Sequence, residues 1–198
     1  TFDTQPLAAA SLGQVHRARV QQTPDSNESE RLLDVVVKIQ RPGIEQIVAT
    51  DLAALKTVGG WLKRHKPLSR RADVPALLSE FSRILYEELD YLAEGANVET
   101  FCANFEAVAG VRVPHVVWTH TTKRALTLED VSGIKITDYE GIEAAGIDRA
   151  EVAERLLATY LKQIFEDGFF HADPHPGNLF VYTTGDKEDS RGGWCLTF

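Results

Sequence analysis

Methionine is absent from the 198 residues of the chain, and cysteine occurs only twice. Cys102 and Cys195 lie far apart and form no CxxC or Cys/His spacing. This argues against a disulfide framework or a structural zinc site and fits a reducing compartment. No apolar run approaches the length of a bilayer-spanning helix. Because the chain begins in mid-pattern at Thr1 and stops within a strand-like segment at Phe198, we expect it to be part of a longer protein.

Basic runs are also lacking. The chain has 29 acidic and 21 basic residues, a net charge of −8, which argues against nonspecific binding to nucleic acid. Any phosphate-bearing ligand must therefore be held by local positive charge. The apolar fraction of 43% is ordinary for a soluble globular protein with its own core. Together with the reducing compartment that the cysteines indicate, this leads us to expect a cytoplasmic location.

Hydrophobic and turn patterns predict strands early in the chain and helices late. Strands are expected at 14–20, 33–39, 111–118 and 125–131, and helices at 42–66, 73–101, 137–145 and 149–167. A polar segment at 21–31 should join the first two strands as an exposed loop. This distribution predicts an α+β fold of two lobes with a cleft between them.

Apolar residues spaced three and four apart mark the faces by which two of these helices should pack. On the helix at 73–101 the inward stripe is predicted to be Leu78, Phe81, Leu85, Leu89 and Leu92. On the helix at 149–167 the predicted inward residues are Leu156, Tyr160, Leu161 and Ile164.

The segment 171–178, with the sequence His-Ala-Asp-Pro-His-Pro-Gly-Asn, carries the strongest functional signal. Its prolines and glycine keep it from being helical. In phosphoryl-transfer enzymes of the kinase type, an aspartate placed like Asp173 accepts the proton of the attacking hydroxyl. An asparagine placed like Asn178 helps to hold Mg²⁺. The alternation of His171, Asp173 and His175 also admits a metallohydrolase site, although no second histidine cluster completes it. We expect His171 to anchor the loop.

Two features near the start of the chain suit a nucleotide. Lys38 interrupts a run of valines, where an ammonium needs an anionic partner such as a phosphate or a glutamate, unless an edge strand lets it reach solvent. The small residues of the segment 6–15 would let the backbone offer N–H groups to phosphates, although a simple turn or helix start is the plainer interpretation.

Acidic residues cluster at 87–94 on the second predicted helix. On a straight helix Asp90 and Glu94 share a face that Glu88 does not, so these acids cannot all reach one ligand. We expect one acid to pair with Lys38 and the others to serve the cleft or a segment outside this chain. A solvated acidic face is the ordinary alternative. The order of the elements is more specific than any one of them: a small-residue loop, a strand lysine, a helix glutamate and then Asp-x4-Asn is the kinase arrangement.

At this level the chain closely resembles the UbiB/ADCK family of atypical kinases. The resemblance rests on four motifs that span nearly the whole chain: Ala8-Ala9-Ala10-Ser11-x-Gly13-Gln14-Val15-His16, Val37-Lys38-Ile39-Gln40-Arg41-Pro42-Gly43, Glu88-Leu89-Asp90-Tyr91-x-x-Glu94-x-x-Asn97 and Phe170-His171-Ala172-Asp173-Pro174-His175-Pro176-Gly177-Asn178. The resemblance implies a bilobal protein-kinase-like fold. Its N-lobe would be 1–131, with an antiparallel sheet and family-specific helices, and 132–198 would be an incomplete, mainly helical C-lobe.

The resemblance also assigns roles to residues of the nucleotide site. Lys38 would bind the α- and β-phosphates of ATP, or of ADP, in the cleft between the lobes and would pair with Glu94. The nucleotide would be covered by Ala8, Ala9, Ala10, Ser11 and Gly13. Backbone groups from Glu129 to Val131 would meet the adenine.

The remaining roles concern catalysis and partners. Asp173 would be the catalytic base and Asn178 a Mg²⁺ ligand, while Glu88 and Asp90 would be the acids of the family's Glu-x-Asp motif. The family is tied to ubiquinone, other isoprenoid quinones and lipids. The implied partners are therefore quinone or lipid precursors and quinone-biosynthesis proteins, with a membrane association carried by parts outside this chain. In a eukaryote the location would be organellar.

Two family motifs are not in the chain: the Lys-x-Gly-Gln segment and the Asp-Phe-Gly-type metal ligand. We therefore expect the 198 residues to be inactive alone, although the longer protein would be an enzyme. Two alternatives stay open. One is an aminoglycoside- or choline-kinase-like phosphotransferase, whose catalytic loop is similar, and the other is a nucleotide-binding regulator without phosphoryl transfer.

Overall fold

The structure is a computed structural model that describes residues 1–9, 12–22, 31–63, 73–183 and 193–198. The fold is α+β, as the sequence predicts. The described residues group into two compact units, one formed by Thr1–Ala96 with Val116–Leu128 and the other by Asn97–His115 with Glu129–Phe198. Among the described residues, no helix has the length and apolarity needed to cross a bilayer.

Strands and helices are numbered here along the chain. The strands are β1 (Ala8–Ala9), β2 (Gly13–Gln22), β3 (Arg31–Gln40), β4 (Val111–Arg112), β5 (Ala125–Glu129), β6 (Ile134–Lys135), β7 (Phe180–Thr183) and β8 (Trp194–Thr197). The helices are α1 (Ile44–Lys63), α2 (Val74–Glu88), α3 (Tyr91–Phe105), α4 (Tyr139–Ala144) and α5 (Arg149–Lys162). A π-helical turn, Gln163–Asp167, continues α5, and 3₁₀ turns lie at Trp118–His120 and Pro176–Asn178.

The first unit is built on a sheet of order β1-β2-β3-β5. The β-branched residues of β3 favour a strand, and β2 pairs with it in antiparallel register, which sets Val15 opposite Lys38. β1 pairs with the start of β2, Ala8 opposite Val15 and Ala9 opposite Gln14. The predicted strands at 14–20 and 33–39 are therefore present and longer than expected. Most of the predicted loop between them lies outside the described residues.

The predicted single helix at 73–101 is wrong, because the chain breaks between α2 and α3. The carboxylate of Asp90 accepts the backbone amides of Leu92 and Ala93, so it caps the start of α3. The carbonyl of Leu89, left over at the end of α2, accepts a hydrogen bond from the side chain of Gln40 at 2.5 Å. A side-chain cap and a contact from a distant strand thus end a helix whose hydrophobic spacing continues.

The predicted stripe on this segment is buried only in part. Leu89 is buried with Ile44, Val48 and Leu52 of α1, and Leu85 packs against that cluster. In contrast, Phe81 and Leu92 are 44% and 43% exposed. The helix is interrupted at Leu89 and Asp90, and Leu92 of α3 does not continue the face that Leu85 and Leu89 bury.

The second unit contains a sheet of order β4-β8-β7-β6, in which β4 and β8 are parallel and the other pairs antiparallel. Its core combines Ile142, Ile147, Val152, Val181 and Trp194. The strand predicted at 111–118 is largely wrong: only Val111–Arg112 forms a strand, and a 3₁₀ turn begins at Trp118.

On α5 the inward face agrees with the prediction only in part, since Leu156 and Tyr160 are half-buried as predicted. The buried residues are Val152 and Thr159, followed by Gln163 of the π-helical turn. The predicted Leu161 and Ile164 are 45% and 47% exposed. Two of the three buried residues are polar, so apolarity did not mark this face.

Candidate active site

The strongest candidate site in the first unit is an ion pair between Lys38 and Glu94. Nζ of Lys38 lies 2.8 Å from each carboxylate oxygen of Glu94. β3 supplies the lysine, and α3 supplies the glutamate from its first turn. The two side chains keep 36% and 37% of their surfaces exposed, so the pair can still be reached by a ligand.

Beneath this pair lies Tyr91, which is almost fully buried. The Lys38 ammonium is 4.9 Å from the centre of its ring, within range of a cation–π contact. The Tyr91 hydroxyl is buried and has no hydrogen-bond partner among the described residues. Burial, and to a lesser degree the negative charge of Glu94, raises the pKa of Tyr91 to about 12.

Gly13 provides the space that this arrangement needs. A Cβ atom at this position would lie 2.6 Å from the carbonyl oxygen of Ile39 and 2.8 Å from the hydroxyl of Tyr91. Both separations are shorter than real Cβ contacts, so the absence of a side chain lets β2, β3 and the tyrosine approach closely. The glycine is required for packing at the start of β2, just after the segment 8–11, here called the alanine-rich loop.

Of the alanine-rich loop, the structure describes Ala8 and Ala9, which are exposed and lie on β1. Ala10 and Ser11 lie outside the described residues. The antiparallel pairing of β1 with β2 makes this segment the edge of the sheet that carries Lys38. Its contact with a nucleotide stays a prediction.

The other acids of the motif at 88–94 have different settings. Glu88 is the exposed last residue of α2, and the half-buried Asp90 caps α3. A cap places its carboxylate against the positive end of the helix, which holds Asp90 in one orientation. Any further role of these two acids stays a prediction.

In the second unit the structure brings Asp173 and Asn178 together. Nδ2 of Asn178 donates to Oδ2 of Asp173 at 2.9 Å, and both side chains are exposed. Because the amide nitrogen faces the carboxylate, the amide oxygen of Asn178 points away from it and can act as an oxygen ligand.

Hard oxygen donors of this kind fit Mg²⁺, which keeps several waters and takes few protein ligands. Across the described ranges, no group of three or more histidine, cysteine, aspartate or glutamate side chains is placed to hold a metal ion. The amide oxygen of Asn178 is the type of donor that Mg²⁺ takes, so this residue fits the ion, and its role as a ligand stays a prediction.

The two histidines of the loop make structural contacts. The ring of His171 packs against Phe101 and Phe198, with centroids 6.4 Å and 6.1 Å apart. The Nδ1 atom of His175 accepts the amide of Gly177 at 3.0 Å and so caps the 3₁₀ turn that contains Asn178. These contacts favour anchoring roles and give the metallohydrolase alternative no support.

The predicted adenine-binding segment is held from both ends. The amide of Glu129 donates to the carbonyl of His115 at 2.9 Å, and its carboxylate pairs with Arg112. The carbonyl of Val131 accepts from the hydroxyl of Thr197 at 3.4 Å. The amide of Glu129 and the carbonyl of Val131 thus already have protein partners, so contact of this segment with adenine stays a prediction.

Sequence reasoning missed residues that support the site from within. Gln163 is fully buried, and its side-chain oxygen accepts the backbone amide of His171. The hydroxyl of Tyr160 is buried without a partner in the described part of the chain, and burial raises its pKa, with a further increase from the charge of Asp173. Periodicity predicted that Tyr160 faces inward, but it did not mark the polar Gln163 as an inward residue.

Comparison with known proteins shows the family to which this α+β fold belongs. Residues 1–190 match the model of the ABC1 atypical kinase-like domain. The chain belongs to this family.

Similar proteins occur in bacteria and plants. An uncharacterized protein of Synechocystis is 45% identical over 181 residues, covering 91% of this chain and 29% of that protein. Protein ACTIVITY OF BC1 COMPLEX KINASE 8, chloroplastic, of Arabidopsis thaliana is 41% identical over 199 residues, 100% of this chain and 24% of that protein. The probable protein kinase UbiB of Xanthomonas campestris is 41% identical over 180 residues, 91% of this chain and 32% of that protein. The chain thus spans between 24% and 32% of the length of these relatives.

Proposed function

We propose that this chain supplies nucleotide-binding and catalytic residues of an ATP-dependent atypical kinase or ATPase that uses Mg²⁺. The observation that carries the proposal is the pair of Lys38 and Glu94, which holds an ammonium on a strand at a position still open to ligand. A protein with a net charge of −8 repels a triphosphate unless such a local cation receives it.

Each residue has a definite part in the proposed reaction. Lys38 donates charge-assisted hydrogen bonds to the α- and β-phosphates, and Glu94 keeps the ammonium oriented. Asp173 accepts the proton of the attacking hydroxyl or water, and Asn178 contributes an oxygen to the metal. When bound, Mg²⁺ neutralises charge on the phosphate oxygens. The hydrogen bond from Asn178 fixes the carboxylate of Asp173 while leaving its other oxygen to take the proton.

The biological setting is proposed from the relatives. One relative carries the name UbiB and is called a probable protein kinase, and another is named for the activity of the bc1 complex and is chloroplastic. We propose a role in quinone or lipid metabolism, with quinone or lipid precursors or quinone-biosynthesis proteins as partners. The location would be the bacterial cytoplasm or a eukaryotic organelle.

The test is Asp173→Asn in the full-length protein. A base acts mainly in the transition state, so kcat for ATP turnover should fall by about 10²- to 10⁴-fold while ATP affinity stays close to that of the wild type. Glu166→Gln, which neutralises an exposed acid on the π-helical turn, is the matched control and should change neither.

Retained turnover in the Asp173→Asn protein would contradict the role of Asp173. A wild-type protein that binds Mg-ATP but shows neither hydrolysis nor transfer would contradict the enzymatic proposal. It would instead favour the regulator without phosphoryl transfer.

A further inference from the structure

Gln163 is a fully buried polar residue at the junction of α5 with the π-helical turn. Its side-chain oxygen, Oε1, accepts the backbone amide of His171 at 2.9 Å, eight residues further along the chain. His171 lies two residues before Asp173. A single carboxamide therefore links the end of a packed helix to the backbone that leads into the catalytic loop.

The backbone of Gln163 holds the same segment. Its carbonyl accepts the amide of Gly168, which closes the π-helical turn, and the amide of Phe169 at 3.2 Å. Gly168 has a φ of 62°, a conformation that suits glycine and lets the chain reverse there. Three successive anchor points, at 168, 169 and 171, thus converge on one residue.

The helix itself does not require a carboxamide side chain at position 163. A buried polar side chain costs free energy unless it is hydrogen-bonded, and an apolar residue would fill an inward helical position more cheaply. Nε2 of Gln163 has no partner in the described ranges, so burial carries a cost that only the bond to His171 offsets. Turns of the π-helical type occur often at functional sites.

We propose that Gln163 is a positioning residue for the catalytic loop: its carboxamide fixes the backbone at His171 and thereby the placement of Asp173. The inference rests on the proposed function, since it explains how the proposed base is held in place. It predicts that the bond matters for turnover more than for ATP binding.

The test compares Gln163→Met with Thr159→Val in the full-length protein. Methionine keeps the length of the side chain but cannot accept the amide of His171. Thr159 is a similarly buried polar residue one turn earlier. Its hydroxyl donates to the carbonyl of Arg155 at 2.7 Å, within the same helix, so Thr159→Val is a matched control. Two quantities are measured: backbone hydrogen exchange in peptides covering 169–178, and the separate values of kcat and KM for ATP.

With Gln163→Met, exchange in this loop should become about 2- to 10-fold faster, which corresponds to the loss of one ordinary hydrogen bond. kcat should fall by about 10- to 100-fold, because a small displacement of a catalytic group is costly, while KM for ATP stays nearly constant. Thr159→Val should leave both the loop exchange and kcat near wild-type values.

Unchanged loop exchange in Gln163→Met, or equal acceleration in Thr159→Val, would overturn the proposal. If Gln163→Met does not fold, Gln163→Glu decides, since it retains an acceptor oxygen: wild-type protection of the loop supports the proposal, and faster exchange contradicts it. Exchange is measured without turnover. An inactive wild type would therefore count against the proposed function while leaving the positioning of the loop by Gln163 open to the same comparison.

Discussion

Replacing Gly13 with alanine should show how tightly the strand beside the alanine-rich loop is packed. The new Cβ would lie 2.6 Å from the carbonyl oxygen of Ile39, which is backbone and cannot rotate away, and 2.8 Å from the hydroxyl of the buried Tyr91. Overpacking of this kind costs about 1–3 kcal/mol. Because alanine also restricts the unfolded chain, which favours folding by about 0.4–1 kcal/mol, the expected net loss is about 1.3 kcal/mol at the middle of these ranges and about 2.6 kcal/mol at most.

The assay is urea denaturation of the full-length protein, read as the free energy of unfolding relative to wild type. Gly60→Ala on α1 is the matched control, since no described atom outside its own stretch of helix lies within 4 Å of its Cβ position. Alanine should be neutral there or stabilise by up to about 1 kcal/mol. Adding Tyr91→Phe to Gly13→Ala removes one of the two close contacts and should recover part of the loss. A Gly13→Ala protein as stable as Gly60→Ala would refute the packing argument.

Two further predictions concern buried groups. In Tyr91→Phe the stability near neutral pH should change little, because the lost hydroxyl has no partner among the described residues. The pKa of a tyrosine is near 10 in the unfolded chain and about 12 at Tyr91 in the folded protein, so between these values only the unfolded chain loses the proton. The free energy of unfolding of the wild type should therefore match that of Tyr91→Phe below pH 10. Between pH 10 and pH 12 it should fall, relative to Tyr91→Phe, by about 1.4 kcal/mol per pH unit. Parallel pH profiles of unfolding free energy would contradict this. Gly110→Ala should destabilise more than Gly146→Ala: both have positive φ, 80° and 74°, but only at Gly110 would the Cβ meet Arg155, at 2.5 Å. Equal losses in urea denaturation would exclude a packing contribution from Arg155.

The sequence predicts the hairpin of β2 and β3 well because β3 contains a run of β-branched residues, which favour the strand conformation. It does not predict the break at Asp90, which depends on a side-chain cap and on Gln40, a residue 49 positions from its acceptor Leu89. Hydrophobic spacing continues through that break, so periodicity alone indicates one long helix.

The residues of the candidate site could be predicted where the sequence motif itself contains the reactive side chains. Lys38 with Glu94, and Asp173 with Asn178, are residue types that phosphoryl transfer requires, and each pair is in contact. The support of the site was not predictable. Gln163 is an inward polar residue at the end of a helix on which some apolar residues, such as Leu161, are exposed. Its hydrogen bond to His171 depends on a π-helical turn, which no local sequence pattern predicts.

The most direct test of the account is the affinity of the full-length protein for Mg-ATP with and without the ammonium of Lys38. Lys38→Ala should weaken the binding of Mg-ATP by about 10- to 100-fold, which is the value of a hydrogen bond to a charged group. The variant should stay folded, because a half-exposed ion pair such as Lys38–Glu94 contributes less than about 1 kcal/mol to stability. Lys56→Ala, which removes an exposed ammonium on α1, should leave the affinity unchanged. Equal affinity of the Lys38→Ala protein and the wild type would contradict the assignment of a nucleotide site at Lys38.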